Sequence, residues 1–305
     1  MLSNIQYLQQ QEIDKQKWDD CINEAENGLI YAYSFYLDHM AGHWDALVLG
    51  DYEAVMPLTW NKKFGIHYLY QPFLCAQLGL FGNNLSKELV HEFLLAIPKK
   101  FKYWDIYLNH KNVFELEGYN IYKRSNYILS LNKPYKELYS GYRENIRRNI
   151  KKAKQLGCEV VKHFDAEKVI HLATEQMKAH RETAKKNVNR FRQLFQFLKP
   201  RSQAKTYGIA TQNGELISSA VFFLSHNRAY YILVGNHPNG RTIGASHALI
   251  DAFIQDHSGK KLLLDFEGSD IRNLAFFYSS FGAMEEKFAG LKMNRLPFYL
   301  KWLKR

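Results

Sequence analysis

The side chains best placed for chemistry include two carboxylates two residues apart, Asp265 and Glu267. On a strand they face the same way, because successive side chains alternate. A carboxylate there can take a proton from an amine, directly or through water. It can equally cap the turn at Asp270 or pair with a lysine. A second group is basic: Arg143, Arg147 and Lys151 recur at every fourth residue, with Arg148, Lys152 and Lys154 beside them. On one helix this spacing makes a charged stripe, apart from an apolar stripe of Tyr142, Ile146, Ile150 and Ala153. Only Glu144, four residues before Arg148, offers an internal partner. The stripe therefore either faces water or meets an anion.

Other chemistries lack their residues. His163, His171 and His180 are widely spaced and no His-Glu-x-x-His run occurs, so no metal site is expected. His247 reads as solvent-facing. Ser246 and the cysteines have no recognisable base, which disfavours covalent nucleophilic catalysis and leaves direct transfer between two bound substrates. Cys21, Cys75 and Cys158 are odd in number and far apart, against a disulfide framework or zinc site and in favour of a reducing compartment. The tyrosines fall mostly on strand patterns and read as core.

The chain has 305 residues, enough for two domains. Apolar residues at 46% and charged residues at 23% exclude a disordered, collagen-like or membrane-spanning protein. Its longest apolar runs, such as Ala220–Leu224, are strand-sized. Met1–Gln10 lacks the basic and apolar regions of a signal peptide. A cytoplasmic protein without stable membrane insertion is expected. The net charge of +11 is uneven: residues 1–130 carry 11 Lys and Arg against 15 Asp and Glu, and residues 131–305 carry 30 against 15. The step suggests two domains with different partners, the basic one meeting cofactor phosphates, a nucleic acid or a membrane surface, unless the charge serves solubility alone.

Hydrophobic periodicity sets the elements. In the first half it predicts helices over 14–26 and 34–41, the second capped by Ser34. A hairpin follows (45–49 and 54–60, turning at Gly50-Asp51), then a strand at 67–70, a helix at 86–97 capped by Ser86, and strands at 103–108 and 127–131. In the second half it predicts a helix over 135–156 ended by Gly157, a strand at 158–164, and helices at 166–180 and 189–198. A hairpin follows (206–210 and 216–224, turning at Gln212-Asn213-Gly214), then a strand at 229–234 and a helix at 243–255. A strand at 261–265, a helix at 271–280 and two last strands, 284–288 and 295–299, complete it. The two hairpins begin roughly 160 residues apart, as do the strands near Tyr103 and Lys260, which suggests a duplicated domain.

A mixed sheet of this order, with a helix crossing between its fourth and fifth strands, resembles the GNAT acyltransferase fold. There the fourth strand ends in a loop, R/Q-x-x-G-x-G/A, whose backbone N–H groups and helix dipole hold a pyrophosphate. Here Tyr231-Ile-Leu-Val-Gly235 runs into Asn236–Gly240 and Arg241-Thr-Ile-Gly244-Ala-Ser246. Arg241 and Gly244 match, and Ser246 stands where a Gly or Ala is usual. Leu263-Leu-Asp-Phe-Glu-Gly268 with Phe277-Tyr-Ser-Ser-Phe-Gly282, and the basic helix 143–153, resemble FemAB-like and BioF2-like acyltransferases, which are tandem GNAT-fold proteins. The resemblance covers about residues 136–290. The long helical hairpin of many FemAB proteins, thought to touch tRNA, has too few residues here.

The expected architecture is α/β (α+β mixed sheet), with two tandem GNAT-like domains packed together: residues 1–131, and residues 132–305 with the tail 296–305 returning to the first. The resemblance implies N-acyl transfer from an acyl-thioester, acyl-CoA, to a small-molecule or peptide amine, the acceptor lying between the halves. It implies cofactor contacts from Val234, Gly235, Gly240, Arg241, Gly244, Ala245, Ser246 and Asn273. Asp265 or Glu267 would act as base, and Tyr278 would protonate the departing thiolate. Arg143, Arg147 and Lys151 would meet an anion. The alternatives are aminoacyl transfer from aminoacyl-tRNA to a peptide or cell-wall precursor, a GNAT-fold binding module without chemistry, and a basic nucleic-acid-binding protein.

Overall fold

The computed structural model describes residues 4–115, 117–176, 181–268 and 270–297. The chain divides into two units, Met1–Arg124 with Lys287–Arg305, and Ser125–Glu286.

The first unit contains β1 (Ile5–Leu8), α1 (Lys15–Glu24), α2 (Ser34–Met40), β2 (His43–Leu49), β3 (Ala54–Lys63), β4 (Ile66–Tyr70), the short β5 (Phe81–Gly82), α3 (Lys87–Ala96) and β6 (Phe101–Tyr107). Asp14 starts α1 by accepting the N–H groups of Gln16 and Lys17. Ser86 starts α3 by accepting that of Leu89. Ser34 is not the cap of α2. Tyr33 holds that position, and Ser34 gives its hydroxyl and N–H to Asp19, so α1 supplies the acceptor that a cap would have supplied. Strands β1 to β4 pair antiparallel in sequence, and β4 then pairs parallel with β6. Phe93 of α3 packs with Met56, Leu69, Phe101 and Trp104. The parallel pair does not open beyond β4. Leu78 bridges Leu108, and the Gln71 amide holds the Tyr107 N–H and the Cys75 carbonyl.

Strand β7 (Asn120–Ser130) leads into the second unit. There follow α4 (Tyr135–Ser140), α5 (Glu144–Gln155), β8 (Glu159–Lys162), α6 (Ala166–Gln176), α7 (Arg181–Leu198), β9 (Ala204–Ala210), β10 (Leu216–Ser225), β11 (Arg228–Asn236), α8 (Pro238–Thr242), α9 (Ala245–His257), β12 (Leu263–Asp265) and α10 (Arg272–Ser279). The last strand is β13 (Met284–Asn294). The order β8-α6-α7-β9-β10-β11-α9-β12 repeats β1-α1-α2-β2-β3-β4-α3-β6, so the duplication and the mixed sheet are present. Each repeat gains one further antiparallel strand: β7 lies against β12, and β13 lies against β6. The chain thus returns to the first unit in β13, ahead of Leu296; residues 298–305 lie outside the described residues.

Several boundaries differ from expectation. The helix expected over 135–156 is two helices, broken at Gly141–Arg143, where the Arg143 N–H turns to the Ser280 carbonyl. Residues 177–180 of the expected 166–180 helix lie outside the described residues. The loop after β11 contains a helix, α8. The expected strand 284–288 is the longer β13, Met284–Asn294; of the expected strand 295–299, residues 295–297 are not strand and 298–299 lie outside the described residues.

In the second unit, the buried Arg228 of β11 binds two carboxylates. Its Nη1 lies 2.6 Å from Asp265 Oδ2 of β12, and its Nη1 and Nη2 lie 3.0 and 2.9 Å from the two oxygens of Glu286 of β13. Asn126 Nδ2 also donates to Glu286. Arg228→Met would strand two carboxylates in the interior. It should lower stability by about 3–5 kcal/mol, the cost of breaking a buried ion pair from one side. Chemical denaturation checks this, and an unchanged midpoint contradicts it.

Candidate active site

Parallel pairing of β11 with β12 covers only Arg228–Tyr230 against Leu263–Asp265. Beyond that the two strands follow different neighbours. β11 continues against β10, with Leu233, Val234 and Gly235 opposite Val221, Ala220 and Ser219. The chain after β12 stays with β7, the Phe266 N–H donating to the Tyr127 carbonyl. Past Tyr230 and Asp265 the two strands are no longer paired with each other. A cleft of about 390 Å³ lies along this part of β11, lined by Tyr231, Val234 and Asn236 of β11, Ser246 and His247 of α9, Leu274, Phe277 and Tyr278 of α10, and Gln176 and Gly240.

Tyr278 is buried against Phe266, ring centroids 4.6 Å apart and nearly parallel. Burial, and then the charge of Glu267, push its phenol up to about 12, so it enters the cleft protonated at neutral pH. Tyr231 is also buried, and burial followed by the neighbouring Tyr278 holds its phenol well above the ordinary value. His247 lines the cleft edge-on to Phe277, centroids 4.9 Å apart. Burial pushes its imidazole down to about 4, and its Nδ1 has no hydrogen-bond partner among the described residues. It does not face solvent as expected.

The two acidic candidates separate. The strand ends at Asp265, and Glu267 has a left-handed backbone with φ 65°, so they do not alternate on one strand. Asp265 is buried in its pair with Arg228, and its Oδ1 accepts the Glu267 N–H at 2.8 Å. Its two oxygens are thus engaged by Arg228 and by the Glu267 backbone, which ties the position of Glu267 to that pair. Glu267 is the member whose charge acts on Tyr278.

The glycines expected to admit a pyrophosphate are occupied by packing. Gly244 starts α9 with φ 78°, and a Cβ there would lie 2.5 Å from the Asn149 carbonyl oxygen of α5. Gly240 approaches the Ile217 carbonyl of β10 and spends its N–H on His237. Gly235 approaches Leu172 and Ala173 of α6. What the loop still offers is the first turn of α9. Its leading N–H groups, on Ala245 and Ser246, have no partner within the helix, as at any helix start. The Ser246 hydroxyl donates to Asn236 Oδ1, which also accepts from Ser218. Val234 lines the cleft. Arg241 belongs to α8, and its side chain lies outside the described atoms. Asn273 is exposed in the first turn of α10 and does not line the cleft.

The basic stripe is altered too. Arg143 precedes α5 rather than lying on it, with its guanidinium 4.7 Å over the Phe276 ring. Arg147 and Lys151 are exposed on α5 with Arg148 and Lys154. Lys152 donates to the Thr242 carbonyl at the end of α8, so α5 runs beside the loop that leads into the cleft. Among the described residues no cluster of His, Cys, Asp or Glu could hold a metal ion, and no helix is long and apolar enough to cross a membrane.

Residues 140–268, which carry β11, β12 and the first turn of α9, match the family described as Acetyltransferase (GNAT) domain. That match lies within the second unit. The whole chain also shares its fold with solved structures. FemX is similar at 13% identity with a TM-score of 0.66, over 98% of this chain and 99% of that one. A conserved protein of unknown function from Bacteroides thetaiotaomicron is similar at 10% identity and 0.60, over 95% and 99%. L-PGS from Bacillus licheniformis is similar at 13% identity and 0.56, over 95% of both chains. No curated protein matches the chain significantly. The chain thus shares its fold with FemX and L-PGS and carries the GNAT match in its second unit, where the parallel pair stops at Tyr230, whereas the corresponding pair of the first unit is bridged further by Leu78 and Leu108.

The half-buried, neutral His247 has a consequence for stability. Its folded-state value lies below the ordinary one, near 6.5, so at acid pH the unfolded chain binds the extra proton first. The contribution is complete above about pH 6.5 and is lost as pH falls toward about 4. Unfolding measured from pH 7 to 4.5 should lose less stability in His247→Gln than in the parent; parallel curves contradict the assignment.

Proposed function

We propose that the second unit transfers an acyl group from a bound thioester, acyl-CoA, directly to an amine acceptor. The observation that carries this reading is the cleft where the pairing of β11 with β12 stops, with a protonated phenol on one wall and a helix start on another. The donor carbonyl lies in the cleft. The amine nitrogen attacks the carbonyl carbon; a C–N bond forms and the C–S bond breaks. Tyr278 gives its proton to the departing sulfur. Glu267, directly or through water, takes the proton that the amine loses. The donor phosphates lie at the first turn of α9, where Ala245 and Ser246 offer N–H groups and the helix dipole favours an anion.

A second reading is favoured by one observation, the exposed cations Arg147, Arg148, Lys151 and Lys154 along α5 beside that loop. They suit a longer polyanion, and FemAB-like proteins include transferases that draw on aminoacyl-tRNA. The same chemistry then breaks a C–O ester bond. Salt separates the two donors, because tRNA binding releases many counterions and falls steeply with salt, whereas CoA binding falls little.

Tyr278→Phe removes only the proton. It should lower kcat by roughly 10²–10⁴-fold while changing KM little, the range for a positioned acid. Steady-state kinetics with acyl-CoA and with aminoacyl-tRNA check both acid and donor. Full activity of the variant removes Tyr278 from the reaction, and no turnover with either donor removes the transfer reading.

A further inference from the structure

A second pocket, of about 230 Å³, lies apart from the cleft in the same unit, between the loop after β8, the end of α7 and the start of β9. Its walls include His163, Phe164, Phe195, Lys199, Ser202 and Lys205. Its charge is unbalanced. Lys199 and Lys205 have no carboxylate within ion-pair distance among the described residues. The nearby Asp256 is taken by Lys162 at 2.6 Å and by the Tyr207 hydroxyl at 2.7 Å. Lys205 donates to His257 Nε2 at 3.1 Å, and His257 Nδ1 lies 2.9 Å from the Phe253 carbonyl. That arrangement makes His257 a neutral acceptor, which orients the ammonium without cancelling its charge. Burial, and then the charge of Lys260, hold the Lys205 ammonium below its ordinary value. Two residues on the rim, His163 and Ser202, have left-handed backbones with φ 58° and 56°, a conformation that side-chain-bearing residues rarely adopt.

Two ammonium groups at a half-buried pocket without a counterion suit an anion, and the two phenylalanines suit an attached ring. We propose that this pocket binds a small phosphate-bearing ligand, with its phosphate on Lys199 and Lys205 and its organic part on Phe164 and Phe195. The site is separate from the transfer cleft and does not depend on the reading of the donor.

Calorimetric titration of the full chain with AMP and with inorganic phosphate tests it. Saturable binding is expected, tighter for AMP than for phosphate. The exposed Lys199→Met should weaken it by about tenfold, the effect of one hydrogen bond from a charged donor, and Lys199→Met with Lys205→Met by more. The single variant alone decides the matter should the double one unfold. No saturable binding at millimolar concentration, equal affinity for the two probes, or an affinity unchanged by Lys199→Met overturns the proposal.

Discussion

The guanidinium of Arg228 ties three strands at one point. It sits on β11, reaches Asp265 on β12 and binds Glu286 on β13 with both nitrogens. Just past this tie the pairing of β11 with β12 stops, while β11 stays with β10 and Phe266, beyond β12, stays with β7. Strands that stop pairing expose backbone groups and apolar side chains, which a sheet tolerates only where the pairing behind them is fixed. The same Asp265 that binds Arg228 also holds the N–H of Glu267, so the tie sets the turn that aims the candidate base. The first unit shows the alternative. Its parallel pair β4–β6 has the same place in the repeat, but Gln71 and the Leu78–Leu108 bridge keep it shut.

Everything that lines the cleft follows from what surrounds it. Tyr278 is held protonated because Phe266 buries it and Glu267 repels the phenolate. His247 is held neutral because Phe277 and Phe281 leave it little water. Gly244 is required by α5, which comes too close for any side chain, and that contact sets the direction in which α9 starts. Glycine in this loop thus acts on the ligand at second hand, through the position of a helix.

Hairpins and the duplicated order were legible because turn chemistry and period-two patterning are local: Gly50-Asp51 and Asn213-Gly214 mark their turns without help from the rest of the chain. Tyr278, which lines the cleft, was singled out through family resemblance rather than periodicity. Arg228 was not legible. Its partners are 37 and 58 residues away, and a lone arginine on a strand has no pattern. Glu267 was placed on a strand because alternation is the default for x-Asp-x-Glu, and nothing in the sequence signals its left-handed backbone. Arg143 was placed on a helix because its spacing to Arg147 is helical, whereas a tertiary bond to Ser280 breaks the helix before it. His247 was dismissed because exposure is the usual state of a helix-start histidine; only the packing of α10 makes it a wall of the cleft.

The central claim is that the donor carbonyl occupies the cleft where the pairing of β11 with β12 stops. A crystal structure of the chain with a non-transferable acyl-CoA analogue, and in parallel with an analogue of the aminoacyl-tRNA end, tests it most directly. The account predicts the carbonyl between Tyr231 and Tyr278, within hydrogen-bond reach of the Tyr278 hydroxyl, with the phosphates at the first turn of α9. An analogue bound elsewhere while this cleft stays empty would contradict it.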